Sequence, residues 1–186
     1  MKKPSKKFLK SISLFMLTVG FSLVFSCGNT QKEEEKPINP LEYKQDLEEA
    51  NKKLNQKEAE DIAAFIERYG WNMKETGSGL RYYIYNEGKG RQVEKFKLVT
   101  IRFTSKLLTG EQLYSSEKDG NKEFILGQST EISGLEEGLL LMKEGDKAKL
   151  IVPSHLAFGL LGDQEKIPMR ACLVYDIEVL KVREIE

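Results

Sequence analysis

Residues 132–159 read ISGLEEGLLLMKEGDKAKLIVPSHLAFG, and they decide the fold. Two periodicities meet there. Leu135, Leu139 and Met142 fall at i, i+4 and i+7, the spacing of one apolar helix face. Ser133 stands before Gly134 as a capping hydroxyl, and Glu136 and Glu137 sit in the first turn, where acids meet the positive end of the helix dipole. Gly145 breaks the helix. From Asp146 to Val152 the period becomes two: Ala148, Leu150 and Val152 point one way, Lys147 and Lys149 the other, as in a strand with one wet face. Pro153 has no N–H to donate and ends the pairing. The stretch predicts helix, turn, strand and loop, each element with an apolar face for the rest of the chain to cover.

Other strands surround it. Residues 80–85, LRYYIY, are β-prone, and Gly88-Lys89-Gly90 is a turn. In 98–108, Val99, Ile101 and Phe103 alternate with Thr100, Arg102 and Thr104. Thr109-Gly110-Glu111 is a tight turn, Phe124-Ile125-Leu126 a short strand stopped by Gly127, and 171–182 a final strand with Leu173, Tyr175, Ile177 and Val179 on one face. About five strands and one internal helix predict an α+β domain in which an antiparallel sheet packs on a helix.

Upstream the character changes. Residues 41–69 lack internal Gly and Pro and are rich in Glu, Lys, Ala, Leu and Gln, which predicts a helical arm. Leu47, Ala50 and Leu54 form one thin stripe; Ala59, Ile62, Ala63, Ile66 and Tyr69 form a second, with Glu58 and Asp61 interrupting the seam. The pattern is too irregular for a sustained coiled coil. The second half is apolar enough to dock on the downstream domain or to dimerise. Gly70 stands as its C-terminal cap, and 71–79 is a connector.

The first 26 residues hold five lysines and no acids, so the remainder carries five more acids than bases. That balance argues against nucleic acid as the main partner, since phosphate binding needs a basic face. Lys2, Lys3, Lys6, Lys7 and Lys10 followed by the apolar run 12–25 fit a signal peptide, 1–26. Val24-Phe25-Ser26-Cys27 resembles a bacterial lipobox, which implies acylation of Cys27; an ordinary signal peptide with an incidental cysteine is the other reading. Residues 27–40 are polar, charged and proline-bounded, a tether that cannot bury apolar area. Lys32-Glu33-Glu34-Glu35 is similar to acidic signals that send some lipoproteins to the cell surface. The expected location is the cell envelope, on a membrane through Cys27, at the periplasmic or surface face of the outer membrane. Cys172 lies in an apolar strand, where a buried inert thiol is the usual case. His155 is the only histidine, and no metal-ligand spacing occurs.

Within 80–186 one ordered set of pieces stands out: TIRFTSKLL at 100–108, Gly110, Ser115-Ser116, Phe124-Ile125-Leu126-Gly127, ISGLEEG at 132–138, MKEGDKA at 142–148, Val152-Pro153, Ala157-Phe158-Gly159, Ile167-Pro168 and LVYDIEVL at 173–180. In this order they resemble the FKBP-type peptidyl-prolyl isomerases. The residues before Leu80 look like the lipoprotein subgroup of that family, which includes gliding-motility-associated isomerases. The resemblance implies an FKBP-like fold, a bent antiparallel sheet wrapping one short helix, and a proline-receiving cup between them. It implies Phe103, Tyr114, Ile132, Leu135, Phe158 and Tyr175 as catalytic positions, and Leu113, Phe124, Glu131 and Ile167 as substrate-binding ones. No cofactor or metal is implied, and the partners are proline-containing polypeptides. The family pattern has Tyr at Phe103, Phe at Leu113, Asp at Tyr114, Trp at Leu135, Tyr at Phe158, and Thr-Gly where Thr-Ser-Lys follows Phe103.

Two functions remain open on these residues. One is a lipid-anchored isomerase that assists folding of envelope proteins. The other is a non-catalytic peptide-binding or assembly module of a secretion or motility apparatus. The side chain of Tyr114 discriminates: a ring filling the proline position favours the second, a ring set aside favours the first.

Overall fold

A computed structural model describes residues 40–185, with side chains from Tyr43 onward. The segments read as a signal peptide, a lipobox with Cys27 and a tether lie outside the described residues, except Pro40, which opens the first helix. The chain divides after Lys44, and the unit from Gln45 onward holds the sheet, the core and the cavity described below.

The arm is one helix, α1, Pro40–Tyr69. It ends as the glycine requires. Gly70 takes φ 63°, its N–H donates to the Glu67 carbonyl at 3.1 Å, and the Trp71 N–H donates to the Ile66 carbonyl at 3.2 Å. These two bonds satisfy carbonyls that the last helical turn leaves open. The strands follow as β1 (Lys74–Glu75), β2 (Arg81–Asn86), β3 (Leu98–Leu107), β4 (Gln112–Ser115), β5 (Lys122–Ile125), β6 (Lys147–Val152) and β7 (Leu173–Arg183). A one-turn helix α2 (Ser116–Asp119) precedes β5, and α3 (Ser133–Leu140) precedes β6. A 3-10 turn, Ser154–Leu156, follows β6.

All strand pairs are antiparallel, in the order β1-β2-β6-β7-β3-β4, with β5 on β3. β1 and β4 exceed the five strands expected, because segments of two and four residues are too short to show a period. The register puts Ala148 opposite Ile177, Leu150 opposite Tyr175 and Val152 opposite Leu173, so one face of β6 and β7 is continuously apolar. That face packs on α3, where Leu135 and Leu139 are fully buried and Met142 just beyond the helix is 1% exposed. Gly134 and Gly138 let the helix approach: a Cβ at Gly134 would come within 2.4 Å of Val152 Cγ1, and one at Gly138 within 2.4 Å of Leu150 Cδ1. Ser133 corrects the capping expectation. The N-cap is Ile132, and the Ser133 hydroxyl instead donates to the Leu156 carbonyl at 3.3 Å, tying α3 to the turn after β6.

The opposite face of the sheet is not wholly wet. Ile151 is as buried as its neighbours and, with Cys172 and Val174, forms a second core against Ile62 and Phe65 of α1. The arm therefore docks on its own chain. Its contact face is centred on Ile62 and Phe65; Ala59 and Ala63, expected in the stripe, are exposed. Trp71 packs at the same junction, its ring centroid 5.6 Å from that of Phe65. Cys172 is buried there, and burial first, then the Glu58 carboxylate, pushes its thiol up to about 12. Among the described residues no helix is long and apolar enough to cross a membrane.

Candidate functional site

Three side chains standing side by side across the sheet make the cavity. Ser105 on β3 pairs with Tyr175 on β7 and with Tyr114 on β4, and directly paired residues share a face. A small side chain between two large rings leaves a depression. Phe103, two residues earlier on the same face, closes one end, its ring centroid 6.3 Å from that of Tyr175. Phe158 and Ile167, from the segment between β6 and β7, supply the facing wall. The cavity is about 300 Å³, at the lower end of the range of about 300–1,000 Å³ for small-ligand pockets.

The rim is polar. On one side Lys122 donates to both carboxylate oxygens of Glu131 at 2.6 Å, with its ammonium 5.4 Å from the Phe103 ring centroid. On the other, the Tyr114 hydroxyl donates to Asp163 Oδ2 at 2.6 Å. Asp163 Oδ1 accepts the N–H groups of Glu165 at 2.9 Å, Lys166 at 2.9 Å and Ile167 at 2.6 Å. This carboxylate thus folds its own loop and holds Tyr114 against it. Gly162, at φ 66°, has no room for a Cβ, which would lie 2.1 Å from the Ile167 carbonyl oxygen. Lys166 places its ammonium 4.4 Å from the Tyr114 ring centroid, a cation–π contact on the outer side.

The electrostatics follow from these contacts. Burial would raise the Asp163 carboxyl, but the Tyr114 hydroxyl and the three backbone N–H groups outweigh it and hold the group down at about 2. The bond to Asp163 in turn pushes the Tyr114 phenol upward, with burial adding to it. The Tyr175 phenol is raised chiefly by burial, then by the negative charge of Glu131 and the neighbouring Tyr114 and Asp163. All three groups keep their neutral-pH forms across the ordinary range.

Of the expected positions, the structure brings Phe103, Tyr114, Glu131, Phe158, Ile167 and Tyr175 to this cavity. It does not bring Leu113, Phe124, Ile132 or Leu135 to the lining. Leu113, Ile132 and Leu135 are buried in the main core, and Phe124 packs half-buried against it. Leu135 is fully buried, so its side chain belongs to the core and is not open to a ligand. Ser105, Asp119, Gly120, Lys122 and Asp163 also line the cavity and were not expected. Ser105 was legible from the period-two pattern of β3, which puts it on the face of Phe103. Asp163 carried only a turn signal, Gly162-Asp163, that says nothing of its partner across the chain. His155 stays outside, its Nε2 3.0 Å from the Ser78 carbonyl oxygen. Among the described residues no group of three or more His, Cys, Asp or Glu side chains is placed to hold a metal ion.

Residues 89–180 match the profile of the family described as FKBP-type peptidyl-prolyl cis-trans isomerase. A probable FKBP-type peptidyl-prolyl cis-trans isomerase FkpA of Neisseria meningitidis is 38% identical over 111 residues, 59% of this chain and 40% of that protein. A Haemophilus influenzae relative is matched over 46% of its length. The chain thus spans less than half the length of these curated relatives. An FK506-binding protein of Neisseria meningitidis is 37% identical over 57% of this chain and 98% of its own length. Among solved structures, that of FkpA from Escherichia coli covers 98% of this chain and 84% of its own with a TM-score of 0.59 at 25% identity. A peptidyl-prolyl cis-trans isomerase from Pseudomonas syringae covers 69% of this chain and 92% of its own with a TM-score of 0.60 at 26% identity. The cavity is lined by the sheet and the segments beside it, and not, as the resemblance implied, by α3, none of whose residues reaches the lining. A relative matched along nearly its whole length leads to one conclusion: the chain belongs to the FKBP-type peptidyl-prolyl cis-trans isomerase family.

Proposed function

We propose that this chain is a peptidyl-prolyl cis-trans isomerase anchored to a membrane through acylated Cys27, acting on proline-containing segments of envelope proteins as they fold. The single observation that carries the catalytic part is the state of Tyr114. Its hydroxyl is committed to Asp163 and its ring stands in the wall, with about 300 Å³ left open beside it. The names of the relatives, FKBP-type peptidyl-prolyl cis-trans isomerases, support the catalytic part of this reading.

The barrier to rotation about an X–Pro bond is about 18–20 kcal/mol because twisting destroys amide resonance. Uncatalysed exchange takes tens to hundreds of seconds. The planar imide is more polar than the twisted one, so an apolar enclosure disfavours the ground state relative to the transition state. Phe103, Phe158, Ile167 and Tyr175 form that enclosure and receive the ring; Ser105 gives it depth. Glu131, at the rim, is held by Lys122, which keeps the wall in place as the flanking peptide enters. Nothing in this scheme needs a nucleophile. The domain division at 26, 40 and 79, the membership of a lipoprotein subgroup similar to gliding-motility isomerases, and the outer-membrane location belong to the same proposal. They rest on the N-terminal residue pattern.

A refolding assay tests the activity. The full chain should accelerate the slow, proline-limited refolding phase of a substrate protein in proportion to its concentration, and an unchanged slow phase would refute it. Palmitate labelling of wild type against Cys27→Ala tests the anchor: label lost with the cysteine is expected, and equal labelling contradicts it. The alternative of binding without turnover draws on one observation: the Tyr114 hydroxyl is engaged, and Phe158 has none to offer a substrate carbonyl. It predicts peptide binding with the slow phase untouched.

A further inference from the structure

The apolar stripe of α1 is interrupted at Glu58, and the structure gives that carboxylate a partner in the domain. It accepts the Ser154 N–H at 2.7 Å and the Ser154 hydroxyl at 2.6 Å. Ser154 is 5% exposed and opens the 3-10 turn after β6. Asn55, three residues earlier on the same helix face, accepts a hydrogen bond from Arg170 Nη2 at 2.9 Å. Backbone bonds join the two anchors: the Gly159 N–H donates to the Ser154 carbonyl at 2.9 Å, and the Arg170 N–H to the Gly159 carbonyl at 2.7 Å. The path from the arm through Ser154, Gly159 and Arg170 back to the arm is closed. Between its anchors lie Phe158, Asp163 and Ile167, one wall of the cavity.

We propose that the docked arm positions the cup, with Glu58 and Asn55 fixing the two ends of residues 154–170 so that Phe158, Asp163 and Ile167 stand ready for a proline segment. This rests on the reading that the cavity receives X–Pro segments. Glu58 and Asn55 do not line the cavity; they act through Ser154 and Arg170 and are positioning residues. The segment needs such support. Arg170 at φ 56° and Gln164 at φ 63° occupy the left-handed region, which non-glycine residues hold only where the surroundings impose it. A segment left free would have to be ordered as the substrate bound. The bonds from Ser154 are charge-assisted, the stronger class. Glu58 is not needed to keep the arm on the sheet, because Ile62 and Phe65 pack there on Ile151 and Val174.

The test compares full-length wild type, Glu58→Ala and Glu58→Gln with a proline tetrapeptide. It reads kcat and KM by isomerisation, peptide dissociation by NMR titration, and arm docking by the emission of Trp71, the one tryptophan. Losing the competent arrangement lowers apparent affinity by the fraction that remains competent. Glu58→Ala should raise KM about fivefold with kcat within about twofold and Trp71 emission unmoved. Glu58→Gln, which retains an acceptor for the Ser154 N–H, should return KM to within about twofold of wild type. An unchanged KM in Glu58→Ala overturns the proposal, as does a Gln variant no better than Ala. If wild type does not turn the peptide over, the isomerase reading fails, and the dissociation constant decides this inference by the same about fivefold criterion. If Glu58→Ala releases the arm, seen as a red shift of Trp71, Asn55→Ala decides: a raised KM supports the proposal and an unchanged one overturns it.

Discussion

Tyr114 stands where the family pattern has aspartate, and taken alone it reads as a lost rim carboxylate with a ring in its place. The structure returns a carboxylate to the same rim from a different loop, as Asp163. The pair predicts coupled energetics. Tyr114→Phe removes a donor to a charged, half-buried acceptor and should cost about 1 kcal/mol of stability by urea unfolding. In a double-mutant cycle, Tyr114→Phe with Asp163→Ala should cost about 1 kcal/mol less than the sum of the single changes, because the contact is lost only once. The pH dependence has a definite sign. Asp163 is held at about 2, below its ordinary value, so its contribution is present above about pH 4 and is lost as pH falls through about 2. The Tyr114 phenol is raised, so its contribution is present below about pH 10 and is lost only at still higher pH. The pair should therefore leave stability flat between pH 5 and 9, and thermal melts across that window check it. Cys172 gives a second residue-level outcome. With its thiol buried and pushed up to about 12, it should resist alkylation in the native protein and react promptly on unfolding, as followed by mass spectrometry of its peptide. At this scale the sequence was most informative where a side chain belongs to a strand, as with Phe103 and Tyr175. It was least informative for the segment between β6 and β7, where Asp163 finds partners by loop geometry that leaves no period.

At the scale of elements, α3 packs closely on β6 through Gly134 and Gly138. Gly134 faces Val152, whose β-branched side chain has little rotamer freedom. Gly134→Ala should therefore destabilise by about 1–2 kcal/mol, although alanine favours helix by about 1 kcal/mol. A Tm lowered by a few degrees checks this. The main elements were legible because their periods are long: α1, the alternation of β3 and β7, and the helix-to-strand switch at Gly145. β4 was not, since four residues are too few to show a period, yet it supplies one of the two rings that flank Ser105. The expected wet face of β6 was partly wrong for a physical reason. Lys147 and Lys149 are there as read, but Ile151 on the same face is covered by α1.

For the whole molecule, the arm is where local pattern and tertiary structure diverge most. A stripe of Ile62 and Ile66 with two alanines suggested the docking face; the buried pair is Ile62 and Phe65, a rotation of the face that only the shape of the sheet determines. Phe65→Ala should cost about 3 kcal/mol and red-shift Trp71, because it empties the centre of the second core. An arm docked on its own sheet also gives 41–79 a structural role, in place of a free spacer. The claim on which everything else depends is that the open cup beside Tyr114 catalyses rotation about X–Pro bonds. The most direct measurement is the rate of cis-to-trans exchange in a proline tetrapeptide with the full chain, set against its Tyr114→Ala, Phe158→Ala double variant. A rate that rises linearly with wild-type concentration and falls at least about tenfold in the double variant is the predicted result. A wild-type rate equal to that of the uncatalysed peptide or of the double variant would contradict it.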